Sequence, residues 1–207
     1  MATSNGNFRK GRPEDPLRCA IFISGSGSGM NALLQYQNLK KQCTHRTVLV
    51  ISNNPDAGGI EIARNQGIPV EVVELPEIEN KQERRLKHEY EIDNMLENFN
   101  VELIILSGYM RLLSAEFVSK WNMKIVNIHP SLLPNFPGAH AHRDVLAAKA
   151  KLSGCTVHFV DSGMDTGKII AQRKVPVFPN DTIETLSKRV KVEEHILYPL
   201  VIDELCK

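Results

Sequence analysis

Cys19-Ala20-Ile21-Phe22-Ile23, followed by Ser24-Gly25-Ser26-Gly27-Ser28-Gly29 and then Met30-Asn31-Ala32-Leu33-Leu34, reads as a strand, a glycine loop and a helix. The five apolar residues have the length of a buried strand rather than of a helix. A loop of this kind turns backbone N–H groups and a helix N-terminus toward an anion. A flexible linker has similar composition, but a linker does not sit between a buried strand and a helix. A dinucleotide fingerprint fails at two points. Met30 stands where a third Gly or Ala belongs, and the next strand, Val48-Leu49-Val50-Ile51, ends in Ser52-Asn53-Asn54 with no ribose-binding acid. A monophosphate is the expected ligand.

Working outward, Leu103-Ile104-Ile105-Leu106 is continuous in apolar residues, as a central parallel strand covered on both faces would be. It runs into Ser107-Gly108-Tyr109-Met110-Arg111-Leu112-Leu113, ahead of a helix capped by Ser114. Gly108 there permits close approach of a ligand to the backbone. Val70-Glu71-Val72-Val73 alternates with an acid and is placed near a sheet edge. Residues 81–98 form a charged helix with Leu86, Tyr90, Met95 and Phe99 as a sparse apolar stripe. Thr156-Val157-His158-Phe159-Val160 and residues 168–175 are strands joined by the turn residues 161–167, without a crossover helix, which predicts an antiparallel extension. A final helix runs from an Asp181-x-x-Glu184 capping pattern to Leu205, with Pro199 expected to kink or interrupt it. On it, Lys191 and Glu194 have the spacing of a surface ion pair. The fold class is α/β: a Rossmann-like, predominantly parallel twisted sheet flanked by helices, with a C-terminal antiparallel extension. Residues 1–17, polar and rich in Gly and Pro, are expected to be a flexible or loosely docked tail before one domain over 18–207.

The chemistry concentrates in Val126-Asn127-Ile128-His129-Pro130-Ser131-Leu132-Leu133-Pro134. Period-2 alternation puts Asn127 and His129 on one side of a strand, and the two prolines force a rigid turn beyond it. In an open α/β sheet ligands bind outside the carboxyl ends of the strands. Composition narrows the function. A formal charge of +1 over 207 residues argues against an extended nucleic-acid footprint. Four cysteines, Cys19, Cys43, Cys155 and Cys206, are scattered without a C-x-x-C pair, and His140 and His142, two apart, make no helical metal face. No metal is expected, and a reducing cytoplasm is the expected compartment. No run approaches the roughly 18 apolar residues of a membrane span. Small-molecule substrates are the expected partners, and the chain is expected to be a monomer or homodimer.

Asn127 to Pro134, together with Met164-Asp165-Thr166-Gly167, resembles the formyltetrahydrofolate-dependent formyltransferases. Phe136-Pro137-Gly138, His140-Ala141-His142-Arg143 and Glu194-His195 ahead of Tyr198-Pro199 resemble the branch that formylates phosphoribosylglycinamide in purine synthesis. The resemblance runs from about Arg18 to the C-terminus. It implies a phosphate-binding N-terminal half and a folate-binding, catalytic C-terminal half. Asn127, His129 and Asp165 are the implied catalytic residues. Gly27, Ser28, Gly29, Lys191 and Glu194 are implied at the phosphate and ribose, and Gly108 and Pro130 at the glycinamide. Arg85, Met110, Arg111, Leu112, Leu113, Asn127 and Val160, with Asp161, Ser162, Gly163, Met164 and Asp165, are implied at the folate. Gly29 departs from the pattern, since relatives usually carry Asn there.

No nucleophile elbow is present, so an amide, an imidazole and a carboxylate point to direct acyl transfer between two bound substrates. The expected co-substrate is 10-formyltetrahydrofolate. Asn127 and a protonated His129 would stabilise the tetrahedral oxyanion, and the Asp165 carboxylate would favour the cationic imidazole. A formyltetrahydrofolate hydrolase and a non-catalytic folate- or nucleotide-binding sensor are the alternatives. A formyltransferase acting on methionyl-tRNA shares this type of site but is expected to need an added RNA-binding domain.

Overall fold

The computed structural model describes residues 6–207. Its strands are β1 (Leu17–Ile23), β2 (His45–Ser52), β3 (Val70–Val72), β4 (Leu103–Leu106), β5 (Ile125–His129), β6 (Leu152–Phe159) and β7 (Ile169–Pro176). Its helices are α1 (Ser28–Leu39), α2 (Gly59–Asn65), α3 (Lys81–Asn98), α4 (Ala115–Lys120), α5 (Ala141–Ala147) and α6 (Ile183–Cys206). All seven strands join one sheet in the order β3-β2-β1-β4-β5-β6-β7. Pairing is parallel from β3 through β5 and antiparallel for β5–β6 and β6–β7. This is the expected Rossmann-like sheet with its antiparallel extension, and β3 is an edge strand as its alternation predicted.

Alternation along β1 divides the core. Cys19, Ile21 and Ile23 face a layer built with Met30, Leu33 and Leu34 of α1, Ile60 and Ala63 of α2, Val145 of α5 and Leu186, Val190, Tyr198 and Ile202 of α6. Ala20 and Phe22 face the opposite layer, with Ile92 and Leu96 of α3 and Phe117 and Val118 of α4. Each fully buried Ile, Leu or Phe contributes roughly 1.5–3 kcal/mol, so both faces of the sheet are firmly covered. Strand order reverses at β1 and β4: from β1 the chain builds outward to β2 and β3, and from β4 to β5. The loops leaving these two strands diverge and open a crevice at the carboxyl edge. Tyr198 Oη lies 2.9 Å from the carbonyl oxygens of both Leu106 and Val126, tying α6 to the strands that end at this crevice.

Several local expectations are corrected. Residues 7–12 are docked rather than loose. Asn7 N–H donates to Met123 O and Gly11 N–H to Cys206 O, the Arg9 guanidinium pairs with Glu102, and Phe8 packs on the core. Residues 1–5 of the expected tail lie outside the described residues. On α3 the buried positions are His88, Glu89, Ile92 and Leu96, while Leu86 and Tyr90 are exposed. A buried hydrogen-bonded His and Glu hid that face from an apolar count. α6 is capped by Thr182 through a reciprocal box with Thr185, and Asp181 instead binds the Arg189 guanidinium. Pro199 does not interrupt α6. A proline inside a helix costs about 3 kcal/mol, and burial of Leu197, Tyr198, Val201 and Ile202 around it outweighs that cost.

Candidate functional site

At the crevice the loops after β1, β2 and β4 are fastened together. Ser24 Oγ donates to Asn53 Oδ1 at 2.5 Å and accepts from Met110 N–H at 2.8 Å, while Asn54 Nδ2 donates to Ser24 O. Gly27 caps α1 in the left-handed region, with φ 70°. A Cβ there would stand 2.6 Å from Gly59 Cα, so glycine at 27 and 59 lets the starts of α1 and α2 touch. No side chain caps α1, and its first intrahelical bond is Asn31 N–H to Gly27 O. The N–H groups of Ser28, Gly29 and Met30 are thus free to meet an anion. Across the crevice Gly108 is also left-handed, with no atom within 4 Å of where a Cβ would stand. This leaves an open approach to the β4 loop.

The predicted catalytic residues converge. Asp165 reaches back from the β6–β7 connection so that its Oδ2 lies 3.3 Å from His129 Nδ1 and accepts from Gly138 N–H at 2.8 Å. Its backbone is left-handed, φ 56°, a conformation that non-glycine residues adopt sparingly and mostly where surroundings enforce it. His129 Nε2 faces Phe136 O at 2.9 Å. Both ring nitrogens therefore face acceptors. Both side chains are largely shielded, His129 at 6% and Asp165 at 15% exposure, so their attraction is weakly screened by solvent.

The residue that sequence reasoning passed over is His158. In the antiparallel register it stands opposite Asn127. Its Nδ1–H donates to Phe159 O at 2.8 Å, leaving Nε2 as an acceptor 3.2 Å from the Asn127 amide nitrogen. Burial holds its pKa below the ordinary histidine value, against the pull of the Phe159 carbonyl and Asp165. A neutral His158 thus orients the Asn127 amide and leaves its second N–H free. The available signal was a histidine interrupting the apolar run of residues 156–160.

The proline turn after β5, which begins at Pro130, is held from beneath. Thr156 Oγ1 donates to Ser131 O and accepts from Leu133 N–H, and Gln172 Nε2 donates to both Leu133 O and Thr156 Oγ1. Ser131 Oγ reaches the Asn135 and Phe136 carbonyls. β6 and β7 therefore fix the loop that carries the partner of His129.

On α6, Lys191 is exposed and Glu194 half-buried, and the two form no ion pair among the described residues. The surface ion pair that their spacing allows is not formed: Glu194 turns inward, where burial pushes its carboxyl up to about 7 despite the opposing pull of Lys191. His142 on α5 feels both Lys191 and His129, and its buried Nδ1 has no partner among the described residues.

The predicted folate residues line two walls. On one, Met110 and Leu112 are exposed, at 73% and 56%, Arg111 is half-buried and Leu113 packs on the α3 layer. Glu89, another residue sequence reasoning missed, accepts from Ser114 N–H at 2.7 Å and from its hydroxyl, docking α3 with Arg85 against this segment. On the other wall Val160 is half-buried and Asp161, Ser162, Gly163 and Met164 are exposed. Asp161 Oδ1 accepts from Gly163 N–H and Thr166 Oγ1, so it shapes its own turn. No hydrogen bond or ion pair joins Arg85 to the Asp161–Met164 turn among the described residues.

Away from the crevice, Cys43, His45 and Asp203 bring ligand atoms within 4.8 Å of one another. Lys40 and Lys207 place ammonium nitrogens 2.5 and 2.7 Å from Asp203 Oδ2, so two cations already neutralise that carboxylate. Burial depresses the His45 pKa to about 4.

Residues 17–202 match the model of the family described as formyl transferase. The chain is 44% identical over 197 residues to the trifunctional purine biosynthetic protein adenosine-3 of Bos taurus, covering 94% of this chain and 19% of that protein. It thus spans about a fifth of the length of that relative. It is 38% identical over 189 residues to the phosphoribosylglycinamide formyltransferase of Escherichia coli strain K12, covering 90% of this chain and 85% of that one. Among solved structures, the glycinamide ribonucleotide transformylase 1 of Geobacillus kaustophilus superposes with a TM-score of 0.86 at 39% identity, over 93% of this chain and all of that one. The chain therefore belongs to the formyl transferase family.

Proposed function

We propose that the protein transfers the formyl group of 10-formyltetrahydrofolate, a co-substrate, to the amine of phosphoribosylglycinamide, yielding the formylated nucleotide and tetrahydrofolate in purine synthesis. The observation that carries this reading is the convergence of Asn127, His129 and Asp165 beside a glycine-capped helix N-terminus. The amine lone pair attacks the formyl carbon, the bond from that carbon to folate N10 breaks, and the amine's proton ends on N10. No protein nucleophile is needed; the enzyme contributes positioning, proton movement and charge stabilisation.

As the formyl carbon becomes tetrahedral, charge gathers on its oxygen. The free Asn127 N–H and the His129 Nε2–H are the donors for it, the latter exchanging the Phe136 carbonyl for the oxyanion. Asp165 accepts from the imidazole Nδ1–H, so that it orients the ring, and guides the water that removes the amine's proton. Ser28, Gly29 and Met30 N–H groups receive the phosphate, with Lys191 adding charge and Glu194 taking the ribose hydroxyls. Gly108 and Pro130 frame the glycinamide. Arg85, Met110–Leu113 and Val160–Asp165 border the folate. Every group named comes from one chain, so a monomer or a homodimer would serve. No described helix is long and apolar enough to cross a membrane, and the four cysteines are free thiols, in keeping with a cytoplasmic site of action.

The test is tetrahydrofolate release from 10-formyltetrahydrofolate, followed by absorbance with and without phosphoribosylglycinamide. Release that requires the nucleotide, with formylated nucleotide recovered, is expected. Equal release without it would make water the acceptor, and folate-stabilised melting without release would mark a sensor.

A further inference from the structure

Ser107, the first residue after β4, is 8% exposed, yet its hydroxyl has no hydrogen-bond partner among the described residues. Its backbone is firmly placed by Ser107 N–H donating to Phe22 O at 2.9 Å, which pins it between the ends of β1 and β4. The side chain is aimed at the first turn of α1: a Cβ on residue 29 would stand 2.7 Å from Ser107 Oγ. Glycine at 29 is what leaves that space. The hydroxyl itself is not sealed from solvent, so it is open to an incoming ligand. The neighbouring donors, Ser28, Gly29 and Met30 N–H, are also uncapped, and no acid lies in the first turn of α1.

We propose that Ser107 is a specificity residue for the phosphate end of the substrate, its hydroxyl donating to a phosphate oxygen across the gap at Gly29 alongside the α1 N–H groups. The inference deepens the reading of this crevice as a phosphorylated-amine site and rests on it. The chemistry selects a tetrahedral oxyanion: four neutral donors from two different elements converge, and the positive end of a twelve-residue helix lies behind three of them. Gly29 and Ser107 then act as one unit, the missing side chain at one position admitting the hydroxyl at the other.

The experiment is calorimetric titration of inorganic phosphate, phosphoribosylglycinamide and its dephosphorylated riboside into the wild type, Ser107→Ala, Gly29→Ala and the double variant. Ser107→Ala is expected to weaken both phosphate ligands about 10-fold or more, the range for a hydrogen bond to a charged group, with the riboside unchanged. Gly29→Ala, whose methyl displaces the hydroxyl, is expected to lose a similar factor, and the double variant no more than either single. Unchanged phosphate affinity in Ser107→Ala, an equal loss for the riboside, or multiplicative losses in the double variant would overturn the proposal. Failure of wild-type protein to bind inorganic phosphate would remove the subsite itself. A Ser107-dependent phosphate affinity in a protein that transfers no formyl group would uphold the subsite and overturn the proposed reaction instead.

Discussion

The two halves of the sheet serve the crevice differently. In the parallel half, β1 and β4 present backbone: uncapped N–H groups at α1 and an open Gly108 turn. In the antiparallel half, β5 and β6 present side chains, Asn127 facing His158 and His129 adjoining Thr156 across the register. Backbone N–H groups persist whatever side chain the residue carries. Side chains placed by register do not survive replacement. Parallel strands must be joined by long crossovers, which here leave loops and helix starts at the carboxyl edge, whereas antiparallel pairing sets Asn127 opposite His158 and His129 opposite Thr156, residues far apart in sequence. The parallel half is therefore suited to binding and the antiparallel half to chemistry.

Substitutions can break that division. The largest effect is expected from His129→Ala, with turnover falling about 10²–10³-fold, as for loss of an oxyanion donor, while phosphoribosylglycinamide affinity holds within a few-fold. Steady-state kinetics with both substrates varied would separate the two. Gly27→Ala attacks the other half. Its methyl meets the backbone of Gly59 at a left-handed position, so KM for the nucleotide is expected to rise at least about 10-fold, with a melting temperature several degrees lower, a cost of 1–3 kcal/mol. A fall in kcat alone would contradict the division.

Glu194 joins the halves and makes the binding side pH-dependent. With its carboxyl pushed up to about 7, it is a carboxylate, the form in the proposed ribose contact, only above that pH. KM for phosphoribosylglycinamide is expected to fall as pH rises through about 7, and Glu194→Gln to flatten that profile. Stability runs the other way. Between the ordinary carboxylate pKa of 4.5 and about 7, the folded state holds more protons than the unfolded chain. The stabilisation by the neutral acid is present below 4.5 and lost as pH rises through 7. Glu194→Gln is therefore expected to melt about 2–4 °C higher at pH 8, the shift that ~1 kcal/mol gives in a domain of this size. The smallest effect belongs to Thr182→Ala, which removes a cap far from the chemistry. About 1 kcal/mol of stability should be lost in denaturant unfolding, with kcat and KM unchanged.

The difference between the halves also explains what was legible in the sequence. Strands β1, β2 and β4 are near-continuous apolar runs, and the glycine loop follows directly in sequence, so the parallel half could be read by eye. Asn127 and His129 share a strand, and period 2 placed them together. Asp165 is more than thirty residues away, in a turn whose composition is that of any turn; the resemblance found it, not the pattern. His158 was missed because its role exists only through the β5–β6 register, which no local signal sets. Glu89 and the buried face of α3 were missed because a polar residue satisfied by a hydrogen bond looks, in sequence, like a solvated one. Glu194 was assigned to the ribose by the resemblance, because spacing along a helix fits a surface ion pair with Lys191 equally well and says nothing of which face the neighbouring elements cover.

The most direct test of the account is single-turnover formyl transfer by Asp165→Asn at saturating substrates, paired with calorimetric titration of phosphoribosylglycinamide. The chemical step is expected to slow at least about 10²-fold while nucleotide affinity stays within about threefold of the wild type, because Asp165 acts through His129. A chemical step within threefold of the wild type would contradict it, and the assignment of Asn127, His129 and Asp165 as the catalytic set would fall.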